Sequence, residues 1–486
     1  MTFLEVADMC AMNRRDFLKN AAAGAAFSTF AIGTSGREVL GANDSINVAV
    51  AGIHGRGKSH IAKFAGMDDV RVTHLVDPDS RLFDSRKKLV KDRGGNEPTC
   101  VQDVRRVLEN DSVDVVSIAT CNHWHSLIAV WACQAGKDVY VEKPMSHNVF
   151  EGRKVVEAAD KYDCIVQHGT QRRQSKGISR EVAAAKSGKY GELEIAKGIM
   201  SKPRWSIGHA KTESPPSGLD YNIWLGPATW REYHPNLVHY NWHWFWATGN
   251  GEIGNHGVHR TDLCYWAMDA NLPQKVWSLG GRFGYHDQGE TPNTLMSVYD
   301  YGDQQIVFEV RGLVGGDTGY GRKIDNEYYT SEGVIKNGKF YPDNGDPQDL
   351  DVDASEVTHN PGGDYFRNFI KAVRSRDKSI QNGTEVDGHY SSALCHLGNI
   401  SYRLSEPKPF AEKPELDNDV EEKTFEAITK NLSEGVELDL DDLEYQMGPT
   451  LEFSPEDEKF VGDNAEDANR LLRRSYRPPF VVPEKV

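Results

Sequence analysis

The sequence predicts an α/β fold whose N-terminal part is a parallel sheet covered by helices. Three observations predict it. The continuously apolar run Ile46 to Ala51 leads into the turn Gly52-Ile53-His54-Gly55-Arg56-Gly57-Lys58-Ser59 and then a helical stretch; a second run, Val70 to Val76, ends in Asp77; and Val113 to Thr120 and Asp138 to Val141 each precede a further helix. Apolar runs without alternation belong to strands buried on both faces. Strands alternating with helices make a parallel sheet that binds its ligand at the strand C-termini.

At 486 residues the chain is long enough for two or three domains of about 150 residues each. A hydrophobic fraction of 38 % with 26 % charged residues excludes a disordered or fibrous chain. The 72 acidic residues against 56 basic ones leave a net charge of −16, which argues against nucleic acid or an anionic membrane surface as partner. Cys10, Cys100, Cys121, Cys133, Cys164, Cys264 and Cys395 are scattered without a C-x-x-C pair. Neither a disulfide framework nor a thiolate zinc site is expected, and no metal is assigned.

Residues 1–42 read as an export address. Asn13-Arg14-Arg15-Asp16-Phe17-Leu18-Lys19 precedes an uncharged, alanine-rich run from Ala21 to Phe30, the order of a twin-arginine signal. The run is too short for a membrane span, so no stable anchor is expected and the expected location is the periplasm.

The glycine turn admits two meanings. As G-x-x-x-x-G-K-[ST] it is a P-loop, with Lys58 on phosphate oxygens and Ser59 on magnesium. As a Rossmann turn, Gly52 makes the tight turn, Gly57 lets helix pack on strand, and a pyrophosphate sits at the helix N-terminus beside His54, Gly55 and Arg56. His54 stands where the middle glycine of that fingerprint belongs. Asp77, twenty-five residues after Gly52, favours the second meaning, because a carboxylate there takes the adenosine ribose hydroxyls and repels a 2′-phosphate. NAD is favoured over NADP, with Arg81 as the residue that would accommodate the phosphate.

Together with Ser117 to His125 (SIATCNHWH), Glu142-Lys143-Pro144 and Gly251 to Asp262 (GEIGNHGVHRTD), these features resemble the glucose-fructose oxidoreductase and inositol dehydrogenase family, Gfo/Idh/MocA. The resemblance covers about residues 45 to 405. It implies a Rossmann NAD(P)-binding domain at 43–167, an α/β domain with an open, mostly antiparallel sheet at 168–405, and a ligand site in the cleft between them. It further implies that Lys143 is the catalytic lysine, aimed by Pro144, that Glu142, Asn122 and His125 lie near the nicotinamide, and that His259 is an acid/base partner. A lysine suits this task because hydride transfer from an alcohol needs the hydroxyl proton removed, and desolvation lowers an ammonium pKa. The aspartate expected four positions before His259 is Asn255, so Asp262, one helical turn later, is expected to orient the imidazole.

Between Asp220 and Asn250 stand Trp224, Trp230, Trp242, Trp244 and Trp246, half of the ten tryptophans. Aromatic faces with hydrogen-bonding edges suit sugar rings, while packing of an interdomain wall is the expectation for most of them. As a strand, Trp242, Trp244 and Trp246 would share one face. Trp244, Arg172 and His256 are the expected substrate contacts, with Arg173 and Lys202 as further candidates. A helix from about Asp387 to Leu404 puts His389, His396 and Asn399 on one face. Residues 406–486, acidic and broken by prolines, read as an extension that wraps the body or an oligomer neighbour.

The expected function is an exported NAD-dependent sugar or polyol oxidoreductase with tightly held cofactor, working as a homo-oligomer, a dimer or tetramer. The alternatives are an NAD-dependent glycoside hydrolase acting by transient oxidation and elimination, an inactive sugar- and NAD-binding protein, and a P-loop phosphotransferase.

Overall fold

The computed structural model describes residues 45–268, 270–314 and 323–486, so the twin-arginine segment lies outside the described residues. The first sheet comprises β1 (Ile46–Ala51), β2 (Val70–Val76), β3 (Thr99–Val101), β4 (Val115–Ile118), β5 (Asp138–Glu142) and β6 (Val166–Gly169). All pairs are parallel, in the order β3-β2-β1-β4-β5-β6. The order reverses between β1 and β4, opening a crevice at their C-terminal ends. Ile46, Val48 and Val50 are fully buried, as the apolar run requires. β3 and β6 are too short to announce themselves by pattern.

Two glycines are compelled by geometry. Gly52 has φ +81°, and a Cβ there would come within 2.5 Å of the Ala119 carbonyl carbon. A Cβ on Gly57 would meet the Gly52 carbonyl oxygen at 1.9 Å, so only glycine lets the helix Gly57–Ala65 approach β1.

The second sheet contains β7 (Leu193–Ser201), β8 (Lys275–Gly281), β9 (Thr294–Asp300), β10 (Gln305–Arg311), β11 (Ile324–Thr330), β12 (Gly333–Lys336), β13 (Lys339–Pro342) and β14 (Gln348–Asp349). Their order is β14-β13-β12-β11-β7-β10-β9-β8, and only β7 with β10 is parallel. Tyr299, Phe308 and Tyr328 fill its core, against which the helix Val258–Met268 packs. The helix Glu385–Arg403 then returns to the first domain, as does Tyr365–Ser375, whose Phe366 stacks on Tyr140 at 4.6 Å.

Residues beyond 405 are not a detached appendage. β15 (Glu406–Pro409), β16 (Glu444–Met447), β17 (Leu451–Ser454) and β18 (Lys459–Val461) extend the second sheet past β8. The chain end then crosses to the first domain, where Phe480 and Val482 join the cluster of Val107, Trp124 and Ile128. The extension therefore wraps its own body. The strand expected at Trp242, Trp244 and Trp246 is instead a 3-10 turn, Asn241–Trp244, with Trp242 and Trp244 both buried. Apolar spacing of two in an aromatic run does not separate a strand from a tight turn packed on both sides.

Candidate active site

A cavity of about 300 Å³ lies over the C-terminal ends of β1, β2, β4 and β5. Gly52, His54, Gly55, Arg56, Asp77, Asn122, His125, Glu142 and Lys143 line it; Gly57, Lys58 and Ser59 do not. The P-loop meaning of the turn thus loses its two key side chains. The helix Gly57–Ala65 has no side-chain N-cap, and Gly55 has open space where a Cβ would be, a cradle that fits a dinucleotide pyrophosphate.

Asp77 accepts hydrogen bonds from the backbone N–H of Ile53 and of Asp79, both at 2.9 Å. Burial nevertheless pushes its carboxyl up to about 6. Its two oxygens keep further lone pairs for ribose hydroxyls. Arg81 is committed to Asp79, with Nε at 2.7 Å and a terminal nitrogen at 2.5 Å.

The aromatic segment roofs this cleft. His239 lies flat on His54, with ring centroids 4.0 Å apart, and reaches Asp79 through Nε2 at 2.8 Å. Leu219 bridges to Asp79, and the Trp224 carbonyl accepts from Trp124 Nε1 at 3.1 Å. Ile223, Trp224, Tyr240, Trp242 and His243 complete the cover.

At the other end of the cleft, the Lys143 ammonium donates to the Asn255 carbonyl at 2.5 Å, and the Lys143–Pro144 peptide is cis. Burial lowers the Lys143 pKa against the pull of Glu142 and Glu252. Burial alone would raise Glu142, but Arg56 at 2.7 Å and His60 at 3.1 Å hold it well below the usual carboxylate range. Gln171 donates to the same oxygen at 2.9 Å. His125 is fixed between the Pro144 carbonyl at 2.7 Å and the Thr120 carbonyl at 3.1 Å, and Asn122 donates to Asn250 at 2.9 Å.

Three imidazoles surround the lysine. Burial, aided by the Lys143 charge, holds His256 at about 3 and His259 well below its usual value; burial does the same to His243, at about 3. All three are neutral near pH 7, which leaves Lys143 as the group in this cluster with a proton to exchange. His256 Nδ1 lies 3.2 Å from an Arg204 nitrogen, and its ring centroid is 6.2 Å from that of His259. His256 lines the cavity; His259 lies behind it, its Nδ1 buried without a partner.

The expectation for Asp262 is corrected. Its oxygens accept from Thr170 at 2.9 Å, from Arg173 at 2.9 and 3.1 Å, and from Ser391 at 2.6 Å. With all that capacity spent in a fully buried network, Asp262 does not orient His259. Arg173 accordingly belongs to the core. Trp244 is corrected too: it does not line the cavity but lies beneath the Arg204 guanidinium at 5.4 Å. Arg172 is exposed and acts on His259 only through space. His389 is also outside the cleft, fully buried and bonded to Glu458 at 2.8 Å.

Several site residues were missed by sequence reasoning. Glu252, Arg204, His243, His60 and Gln171 all bear on the lysine or its neighbours. Only Glu252 carried a signal, as an acid inside the Gly251 to Asp262 segment one turn before Asn255. Among the described residues no group of three or more His, Cys, Asp or Glu is placed to hold a metal, and no helix is long and apolar enough to cross a membrane.

The fold and cleft define a Rossmann NAD-binding domain followed by an α/β domain, the architecture of a dinucleotide-dependent oxidoreductase. Residues 46–170 match the family description "oxidoreductase family, NAD-binding Rossmann fold", and residues 192–432 match its C-terminal α/β domain. The chain belongs to the Gfo/Idh/MocA oxidoreductase family. Among solved structures, GenD2 from gentamicin A biosynthesis in complex with NAD superposes with a TM-score of 0.53 at 18 % identity, over 77 % of this chain and 97 % of that one. The WlbA dehydrogenase from Bordetella pertussis in complex with NADH and UDP-GlcNAcA gives 0.54 at 16 % identity, over 74 % and 97 %. Among curated proteins, a glycosyl hydrolase family 109 protein of Shewanella pealeana is 28 % identical over 170 residues, 31 % of this chain and 37 % of the relative. Another, from Shewanella sp. ANA-3, is 30 % identical over 172 residues, 31 % and 38 %. The chain thus matches little more than a third of those relatives' length.

Proposed function

We propose that this protein oxidises a secondary alcohol of a sugar, polyol or glycoside in the cleft, using a tightly held NAD, with Lys143 as the group that takes the hydroxyl proton. One observation carries the reading: a half-buried lysine, its pKa lowered by burial, at the end of a dinucleotide cleft and beside histidines that are all held neutral. Gly52, Gly55, Arg56 and Asp77 would hold the dinucleotide, which supplies a hydride acceptor when bound. The remaining chemistry belongs to the chain. Glu142 and Glu252 keep Lys143 from becoming too weak a base, and the Asn255 carbonyl holds its Nζ in place. His256 offers a neutral ring to a substrate hydroxyl, and His259 backs that ring as a second neutral imidazole. Tyr240 and Trp242 exclude water from above.

NAD is favoured over NADP because Arg81 is already bound to Asp79, which leaves the Asp77 carboxylate to face the ribose. The roof of His239 on His54 suits a cofactor that stays bound. Such retention suits an exported enzyme, since no dinucleotide pool exists outside the cytoplasm. Periplasmic location and a homo-oligomeric state, dimer or tetramer, belong to the same reading. A second reading, glycoside hydrolysis through transient oxidation, elimination and hydride return, is favoured by the names of the curated relatives. Its support stops at the part of the chain they match.

The test is to purify the folded full chain, denature it and identify any released dinucleotide, then offer the intact protein aldoses, polyols and glycosides. Released NAD(H) with oxidation of a free sugar supports the first reading, and release of an aglycone without net redox change supports the second. No dinucleotide released, and none taken up on addition, would overturn both.

A further inference from the structure

The two histidines that line the cleft beside Lys143, His243 and His256, carry their protons on opposite ring nitrogens, and their neighbours decide which. His243 Nδ1 lies 2.5 Å from the Tyr240 carbonyl, which can only accept. Nδ1 therefore holds the hydrogen of the neutral ring, and Nε2 is left with a lone pair. His256 Nδ1 lies 3.2 Å from a terminal nitrogen of Arg204, and a guanidinium can only donate. Here Nδ1 is the acceptor, so the hydrogen of this neutral ring stands on Nε2. Both arrangements are fixed in place. Trp242 stacks on the His243 ring at 3.6 Å, and Glu252 holds the Arg204 guanidinium through two of its nitrogens. Both rings are half-buried, neither Nε2 has a protein partner among the described residues, and neither is closed off as His259 Nδ1 is.

The walls of the cleft near Lys143 thus offer a ligand one acceptor and one donor of set polarity. We infer that this pair selects the substrate: His243 Nε2 accepts from a hydroxyl that carries its proton, and His256 Nε2–H donates to a ligand oxygen. The inference rests on the proposed function for one point, that the carbinol gives its proton to Lys143. That proton is not available to His243, so the hydroxyl on His243 is a second one, and the substrate is at least a diol. A monohydric alcohol satisfies Lys143 and leaves His243 unpaired, while an ether oxygen turns a lone pair toward a lone pair. Sugars and polyols with free hydroxyls meet both demands; fully O-alkylated ones fail the first. His243 is an acceptor here and not the base, because burial holds its ring too weakly basic, at about 3.

Long-range proton–nitrogen correlation spectra of the full chain with isotope-labelled histidine test the polarity at neutral pH, the two rings being assigned by their loss in His243→Gln and His256→Gln. Hydrogen is expected on Nδ1 of His243 and on Nε2 of His256. The reverse tautomer in either ring, or a doubly protonated His243, overturns the proposal. Xylitol should shift the His243 Nε2 resonance saturably and bind at least about tenfold more tightly than pentanol, which has one hydroxyl. The pentamethyl ether of xylitol, with oxygens but no hydroxyl, should leave that resonance unmoved. Followed through the His256 resonance, His243→Phe should weaken xylitol about tenfold, and His243→Gln, whose amide oxygen restores an acceptor, should recover most of the loss. No saturable shift by xylitol, equal binding of pentanol or the ether, or wild-type binding by His243→Phe overturns the proposal. The two readings fail separately: the expected tautomers and xylitol binding without any alcohol oxidation would overturn the proposed function and leave the pair as a polyol-binding site.

Discussion

Glu252 Oε2 accepts a hydrogen bond from Asn255 Nδ2 at 3.2 Å, and Arg204 clamps both Glu252 oxygens at 2.7 and 2.6 Å. The negative charge missing at Asn255 is thus supplied from one helical turn earlier. It reaches Lys143, because Glu252 raises the pKa that burial lowers. Glu252→Gln removes that opposition and leaves Arg204 unpaired, so both changes lower the Lys143 pKa further. A base must be deprotonated to act, so the ascending limb of the kcat pH profile should move to lower pH in this variant, with a reduced maximum.

Lys143→Ala is expected to lower kcat at least about 10²-fold while the released dinucleotide content stays at the wild-type level. Lys143→Arg should be no better, because a guanidinium does not deprotonate in this range. Dinucleotide quantification beside steady-state kinetics separates this role from a structural one; unaffected turnover would remove Lys143 from the mechanism.

Asp262 and His259 should part company. Asp262→Ala removes two of the Arg173 hydrogen bonds and leaves Asp387 as its remaining carboxylate, so with those buried donors unsatisfied it should cost about 1–3 kcal/mol and lower Tm. His259→Ala, whose Nδ1 has no partner to lose, should keep Tm near wild type and lower kcat. Thermal melts of the two variants decide the assignment.

Arg81 is withheld from a 2′-phosphate by Asp79. Asp79→Ala frees it and removes a carboxylate, so the NADP to NAD affinity ratio should rise at least about tenfold, as measured by dinucleotide titration of the apoprotein. No change in the ratio would place the ribose elsewhere.

Glu458 ties the extension to the body through Arg153 and through His389 at 2.8 Å. Burial would raise its carboxyl, but these partners bring it from an ordinary 4.5 to about 2. A depressed carboxylate stabilises fully above its unfolded pKa and loses that contribution as pH falls through the folded one. Glu458→Gln should therefore cost roughly 2 kcal/mol near neutrality and make little difference near pH 2, as seen by denaturant melts at the two pH values.

What could be read in the residues was what depends on neighbours along the chain. β1 follows from six apolar residues in a row, Gly52 and Gly57 from a turn that leaves no room for a Cβ, and Asp77 from its place at the end of β2. Lys143 announced itself through the Glu-Lys-Pro segment. Apart from the 3-10 turn at Asn241–Trp244, the corrections concern contacts between distant segments. Asp262 looked free to hold His259 because one helical turn separates them, yet Arg173 and Ser391 arrive from elsewhere and occupy its oxygens. Trp244 was expected against the substrate, but the aromatic segment folds over the dinucleotide turn, places His239 on His54 and keeps Trp244 out of the cavity. The acidic extension was expected to wrap the body or a neighbour, and only the fold decides that its strands continue the sheet and Phe480 enters the first domain's core. Local preference sets which element forms and where a glycine is needed. Which polar groups satisfy one another in the interior depends on which surfaces meet, and that follows from burial and packing across the whole chain.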